Sequence, residues 1–336
     1  MADEHTPQNL TAWRRFYKRS GLRHFVRRRR RALVYQVARA APARLRAMSL
    51  PRALRFADRA ADLAYRTFPG LRRLALEHLA IALGETHSPA AREDIARQAY
   101  RNAARCVVEL AKLDDIRPHF DDYVSADGWE HLEELGRLGR GAIAVTGHFG
   151  NCVLLAAYVA YRGIPITTVA KHEEPRLNRL VTGFHTDNGI RVILRESPGA
   201  AKETLRVLRQ RGILAMLIDM DIRIPSVSVP FFGRPARTPA AAAVLAVRRD
   251  IPVFPSFIQR RPEGGHHVTI MAPIRPPKSG DRQADIRELT RQFNQILENR
   301  IRQQPAEWYW WHRRWRRPPL PHIDLDAATP HAIASA

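Results

Sequence analysis

From about residue 125 onward the chain alternates short apolar runs with amphipathic stretches, and few folds accept that order. Candidate strands are Ala142–Val145, Ile166–Ala170, Arg191–Leu194, Ile213–Ile218, Ser226–Val229, Pro252–Ile258 and His267–Met271. Candidate helices between and after them are Val153–Tyr161, Pro175–Asn188, Ala200–Arg211, Pro239–Arg248 and Gln283–Gln303. Parallel neighbours in a sheet need a long crossover, usually a helix. The alternation therefore predicts an α/β fold: a mixed, largely parallel central sheet flanked by helices. Ahead of it, Arg52–Tyr65, Leu71–Leu83 and Ala90–Leu113 carry apolar residues at three- and four-residue spacing and predict a helical N-terminal segment.

Three regions follow from this reading. Residues 1–50 form a basic tail with an amphipathic helix: Arg27–Arg31 are five consecutive arginines, and Leu33, Val34 and Val37 lie on one side of the helix expected over 32–39. Residues 51–320 form the α/β domain with its helical leading part, and 321–336 a flexible tail. Basic residues beside an apolar helix face suit an anionic interface; the alternative is a solvated charge run before an ordinary core helix. Lys and Arg number 55 against 33 Asp and Glu, a formal charge of +22. Such an excess implies an anionic partner: nucleic acid, a membrane surface, or an acidic carrier or substrate. Only two cysteines, Cys106 and Cys152, are present, which excludes a disulfide framework and a Cys-rich zinc pattern. Met1–Leu10 is polar and does not read as a signal peptide, and no apolar run is long enough to span a bilayer.

Chemistry concentrates in two turns. In Thr146-Gly147-His148-Phe149-Gly150-Asn151 a histidine stands between glycines where a buried strand gives way to a helix. That place is sterically open and rigidly held, and a neutral imidazole there can take a proton from a hydroxyl near neutral pH. Asp219 also follows directly on an apolar strand run, and such strand ends carry the functional groups of α/β sheets. In Val229-Pro230-Phe231-Phe232-Gly233-Arg234-Pro235-Ala236-Arg237-Thr238-Pro239, the two arginines are expected near a helix N-terminus with Thr238 as N-cap and Pro239 in the first turn. Arg234, Arg237 and Thr238 are thus candidates to hold a phosphate. Ile251–Phe257 reads as a core strand. Trp308–Arg317 interleaves aromatics with arginine, which suits a membrane interface, base stacking, or docking of the C-terminal segment onto the body.

Taken in order, these segments resemble the bacterial lipid A late acyltransferases, relatives of the lysophospholipid acyltransferases. Gly147–Asn151 looks like that family's catalytic turn; Leu217-Ile218-Asp219, Val229–Gly233 and Thr238-Pro239 like its central block; Pro252–Pro255 like its next strand; and Glu307–Trp315 like its C-terminal signature. The resemblance implies transfer of a fatty acyl group from an acyl thioester, carried by acyl carrier protein or coenzyme A, to a hydroxyl of a lipid acceptor. It places the protein peripherally on the cytoplasmic face of the bacterial inner membrane. His148 would be the general base, Phe149, Gly150 and Asn151 would line the substrate, and the amides near Gly150 and Asn151 would face the oxyanion. The reaction asks for no metal or cofactor beyond the donor thioester, and no specific nucleic acid.

The family's acid five positions after the histidine is replaced by Val153, and an aromatic position before it by Cys152. Three readings follow. A carboxylate from elsewhere (Asp219, Asp221, Glu173 or Glu174) reaches the imidazole; Cys152 acts as a nucleophile; or the chain binds lipid or acyl carrier without transfer. Nucleic-acid binding stands apart from these, motivated by the charge and the Arg/Trp segment but without any recognisable zinc-finger or RNA-binding aromatic motif.

Overall fold

The computed structural model describes residues 45, 47–137, 139–171 and 182–320. Residues 1–49 and 50–336 form separate units, and the fold belongs to the second. The arginine run and the helix expected over 32–39, the first half of the helix expected over Pro175–Asn188, Glu173, Glu174 and the tail 321–336 lie outside the described residues.

The second unit opens with the helices α1 (Leu50–Thr67), α2 (Pro69–Leu83) and α3 (Pro89–Ala111). The sheet then takes β1 (Val124–Asp127), β2 (Ala142–Thr146), β3 (Ile166–Ala170), β4 (Ile190–Leu194), β5 (Ile213–Leu217), β8 (Val253–Arg260) and β9 (His266–Ile270), in the spatial order β1-β9-β8-β2-β5-β3-β4. Pairings from β8 through β4 are parallel; β9 turns antiparallel to β8, and β1 follows β9. The expected mixed, largely parallel sheet is what forms. Two strands, β6 (Ser226–Phe231) and β7 (Arg234–Pro239), make a separate hairpin.

Each central strand shows the two-residue period of a sheet covered on both faces. Ala142, Ala144, Ile166, Ile213 and Phe254 join one core with Leu154–Val159 of α5 (Cys152–Tyr161) and Leu132 of α4 (Trp129–Arg137). Ile143, Val145, Leu214, Met216 and Val253 join a second core under α7 (Ala241–Arg249) and α8 (Arg282–Gln303). A further crossover, between β4 and β5, is α6 (Ala200–Arg209). A third core packs the leading helices through Tyr65, Leu79 and Tyr100 onto Phe149, Phe231, Phe257, Trp308 and Trp310. Three α3 arginines knit that layer: Arg97 and Arg101 both bind Asp62 of α1, and Arg105 binds Asp58.

Some elements depart from the sequence expectation, α4 among them, for which no helix was expected. β1 is only four residues long and was not foreseen. The stretch Arg234–Pro239, expected as a loop feeding a helix, is a strand paired with Ser226–Phe231. Phe232 and Gly233 both take positive φ, 50° and 70°, the geometry of a two-residue hairpin turn.

Candidate active site

β2 and β5 lie side by side and parallel, with Thr146 opposite Leu217. Ile218 donates its N–H to the Thr146 carbonyl at 3.0 Å, so both strands leave the sheet at the same level. One residue later on β5, and two later on β2, Asp219 and His148 meet. The His148 backbone N–H donates to Asp219 Oδ2 at 2.7 Å, and His148 Nδ1 stands 2.8 Å from Asp219 Oδ1. An ionised carboxylate only accepts, so Nδ1 carries the ring proton and Nε2 is left as the basic nitrogen.

Asp219 is fully buried and heavily anchored. Trp308 Nε1 donates to Oδ2 at 2.8 Å, and His312 Nε2–H donates to the Asp219 carbonyl at 2.9 Å. Burial pushes the Asp219 carboxyl up, but the His148 charge and the hydrogen bonds from His148 and Trp308 hold it well below the usual range. Burial likewise pushes His148 down, and the Asp219 charge and hydrogen bond outweigh it, so the imidazole titrates above 6.5. His312 goes the other way, pushed down to about 4 by burial despite Asp219, and stays neutral. One imidazole is thus tuned as a base and the other kept as a fixed hydrogen-bond donor.

The catalytic-type turn is zipped to the C-terminal segment. Phe149 bridges Trp308, Gly150 N–H donates to the Glu307 carbonyl at 2.9 Å, and Tyr309 N–H donates to the His148 carbonyl at 3.2 Å. Gly147 and Gly150 are glycine for different reasons. A Cβ on Gly147 would stand 3.0 Å from Asp219 Oδ2, in the path of the carboxylate. Gly150 has φ +56° and a Cβ there would lie 1.9 Å from the Ile258 carbonyl oxygen. Gly150→Ala is therefore expected to cost at least about 1–3 kcal/mol of stability through backbone strain alone, read as a lower urea midpoint at unchanged slope.

Asn151 closes the turn. Its side-chain oxygen accepts from Leu154 N–H at 3.1 Å and caps α5, while its amide donates to Glu109 Oε2 at 3.0 Å. Glu109 of α3 is itself fully buried and also takes Tyr123, Arg260 and His266 on Oε1, at 2.9, 2.6 and 3.0 Å. A five-residue polar cluster under the turn thus fixes the direction in which α5 departs from His148.

His148, about one-third exposed, lies at a cleft of about 200 Å³ between α5 and one face of the sheet. Alternate strand residues supply one wall: Ala144 and Thr146, Ile166 and Thr168, Ala215 and Leu217. Val153, Ala156 and Val159 of α5 supply the other. The lining is almost wholly apolar.

The sequence candidates separate cleanly. His148 and Asp219 are brought together. Asp221 is not part of the pair: it binds Arg317, at 2.7 Å from Nε. Cys152 borders the cleft, but burial pushes its thiol up to about 12, so a thiolate route through it is not supported. Phe149 is fully buried against Phe257 and packs the core instead of touching the cleft. The Gly150 amide is already committed to Glu307, and the Asn151 side chain to Glu109 and Leu154, so both hold the turn.

The phosphate cradle expected from Arg234, Arg237 and Thr238 does not assemble. Arg234 is exposed beside the hairpin turn, and Arg237 Nε donates to the Pro318 carbonyl at 2.7 Å. Thr238 is buried in a strand and accepts from Arg314 at 2.7 Å and Asn294 at 3.1 Å. The helix that follows starts at Ala241, and Ala240 in the cap position offers no side-chain acceptor. The Trp-rich segment is docking: Trp308, Trp310 and Arg314 are at most 1% exposed. Sequence reasoning missed Trp308 and His312 as supports of Asp219, although both stood in the segment it singled out. It missed Glu109 for want of any local signal.

A buried carboxylate, an imidazole with one nitrogen left basic, and an apolar cleft meet at one end of the central strands. Residues 24–317 match the family described as bacterial lipid A biosynthesis acyltransferase, and the chain belongs to that family. Among curated proteins it is similar to the phosphatidylinositol mannoside acyltransferase of Mycobacterium tuberculosis (strain ATCC 25618 / H37Rv), 27% identical over 194 residues, covering 56% of this chain and 58% of the relative. The corresponding protein of Mycolicibacterium smegmatis is 25% identical over 192 residues, covering 55% and 60%. The match thus spans about three fifths of the length of these relatives.

Proposed function

We propose that this protein transfers a fatty acyl group from an acyl thioester to a hydroxyl of a lipid or glycolipid at a membrane surface. The observation that carries the reading is the Asp219–His148 pair at the edge of the apolar cleft. The acyl chain lies in the cleft with its thioester carbonyl near His148. Nε2 takes the proton of the acceptor hydroxyl as its oxygen bonds to the carbonyl carbon. The tetrahedral intermediate expels the thiolate, which recovers that proton from the imidazolium. Asp219 holds the tautomer and offsets the charge that forms on the ring. In this reading the loss of the motif acid at Val153 is made good by a carboxylate from the neighbouring strand.

The relatives' names favour a glycolipid acceptor over a free alcohol. An excess of 22 positive charges favours an acidic carrier, acyl carrier protein or coenzyme A, as donor. Among the described residues no helix is long and apolar enough to cross a membrane, and the reading has the protein attached peripherally, on the cytoplasmic face of the inner membrane. A second reading, lipid or carrier binding without transfer, rests on Val153. One assay decides between them: purified protein, acyl thioester and glycolipid acceptor, followed by release of free thiol and mass spectrometry of the acceptor, with His148→Ala as blank. Acceptor-dependent thiol release is expected; release no greater than the blank overturns the transfer reading in favour of the second.

A further inference from the structure

Helix α1 has two unlike faces. Ala53, Ala57, Ala61 and Tyr65 are buried, and flanking them Asp58 and Asp62 are consumed by the α3 arginines. The opposite stripe, at three- and four-residue spacing, is Arg52, Arg55, Phe56, Arg59, Leu63 and Arg66, all exposed. Phe56 and Leu63 are 55% and 62% exposed, and the corner leading into α2 adds Phe68 at 57% and Leu71 at 43%. No acidic residue lies on the stripe. Among the described residues none of its four arginines has a carboxylate partner, in contrast to Arg97, Arg101 and Arg105.

The stripe thus sets large apolar side chains among guanidinium groups that have no carboxylate partner among the described residues. They suit an interface whose outer layer is anionic and whose inner layer is hydrocarbon. We propose that this face of α1, continued by Phe68 and Leu71, seats the protein on an anionic lipid surface. Phe56, Leu63 and the corner enter the headgroup region, and the arginines pair with lipid phosphates. The purpose of the contact rests on the acyl-transfer reading, since it would bring the enzyme to a lipid acceptor; its existence does not.

Full-length protein is floated with phosphatidylcholine vesicles with and without phosphatidylglycerol, over a range of salt. Binding is expected only with the anionic lipid and to weaken as salt rises. Arg55→Gln with Arg59→Gln should lower partition about 25-fold, at about fivefold per arginine. Phe56→Ser with Leu63→Ser should lower it at least tenfold. Both double variants should keep the wild-type thermal midpoint, because the side chains they change are solvent-exposed. Wild-type partition of either folded double variant overturns the proposal. So does loss of a dimer, or of duplex DNA retention, with vesicle binding intact, which would assign the stripe to a second copy or to nucleic acid. Thiol release is not a readout here, so failure of the acyl-transfer reading leaves this result standing on its own.

Discussion

Asp219→Asn is expected to lower the transfer rate about 10⁴-fold while leaving the fold intact, the size of loss seen when the acid of a serine-protease triad becomes its amide. Asn is isosteric, and its single oxygen can occupy the place of Oδ2, where it still accepts from His148 N–H and Trp308 Nε1. That puts the amide NH2 where Oδ1 stood, 2.8 Å from His148 Nδ1. A donor there forces Nδ1 to accept, so the ring proton moves to Nε2 and the basic nitrogen is lost. The loss belongs in kcat more than KM, because the cleft is untouched.

The pH dependence follows from the same pair. His148 is raised above 6.5 by Asp219, so wild-type activity should fall on the acid side with a midpoint above that value, as the base becomes protonated. In Asp219→Asn the raising influence is gone while burial remains, so the residual activity should show its acid limb at lower pH. Stability runs opposite to activity. A raised histidine stabilises the fold fully below its unfolded value near 6.5 and progressively less as pH rises through the folded one. A pH–rate profile of both proteins beside their thermal midpoints checks all three statements, and coincident acid limbs would sink the pairing.

Much of this site was legible because strands announce where they end. His148 and Asp219 each follow an apolar run, and that places both at one sheet edge without any coordinates. That the two touch was not legible, since it depends on β5 being the neighbour of β2, and strand order is a property of the whole topology. Proline and arginine hid β7: Arg234-Pro-Ala-Arg-Thr-Pro has little strand propensity, and only pairing with Ser226–Phe231 makes it one. The phosphate cradle failed for that reason, because the helix N-terminus it needed lies further along. The tryptophans of 308–315 read equally well as membrane-facing or buried, since amphipathic rings serve both. What decided for burial was partnership, Trp308 on Asp219 and His78 Nδ1 on the Trp310 carbonyl at 2.8 Å, none of it local in sequence.

Glu109→Gln should cost about 3–5 kcal/mol of stability, the usual range for removing one partner of a buried ion pair. Four donors converge on its two oxygens, and a glutamine has one oxygen to offer. If that oxygen faces Tyr123, Arg260 and His266, the new NH2 opposes the Asn151 amide. If it faces Asn151, the NH2 opposes three donors, one of them a guanidinium only 12% exposed. Neither arrangement leaves Arg260 a compensating charge. Burial pushes the Glu109 carboxyl up, and His266 and Arg260 hold it well below the ordinary range. Its share of stability is therefore present above the unfolded value near 4.3 and drains away as pH falls towards the folded one. Urea midpoints measured from pH 7 downward should fall steeply for the wild type, and less steeply for a variant that begins lower. Because Asn151 hangs from the same carboxylate and caps α5, the variant should also lose activity at temperatures where it is still folded. A Glu109→Gln protein with the wild-type midpoint and the wild-type acid slope would mean that the cluster neither holds the fold nor steadies the turn at His148.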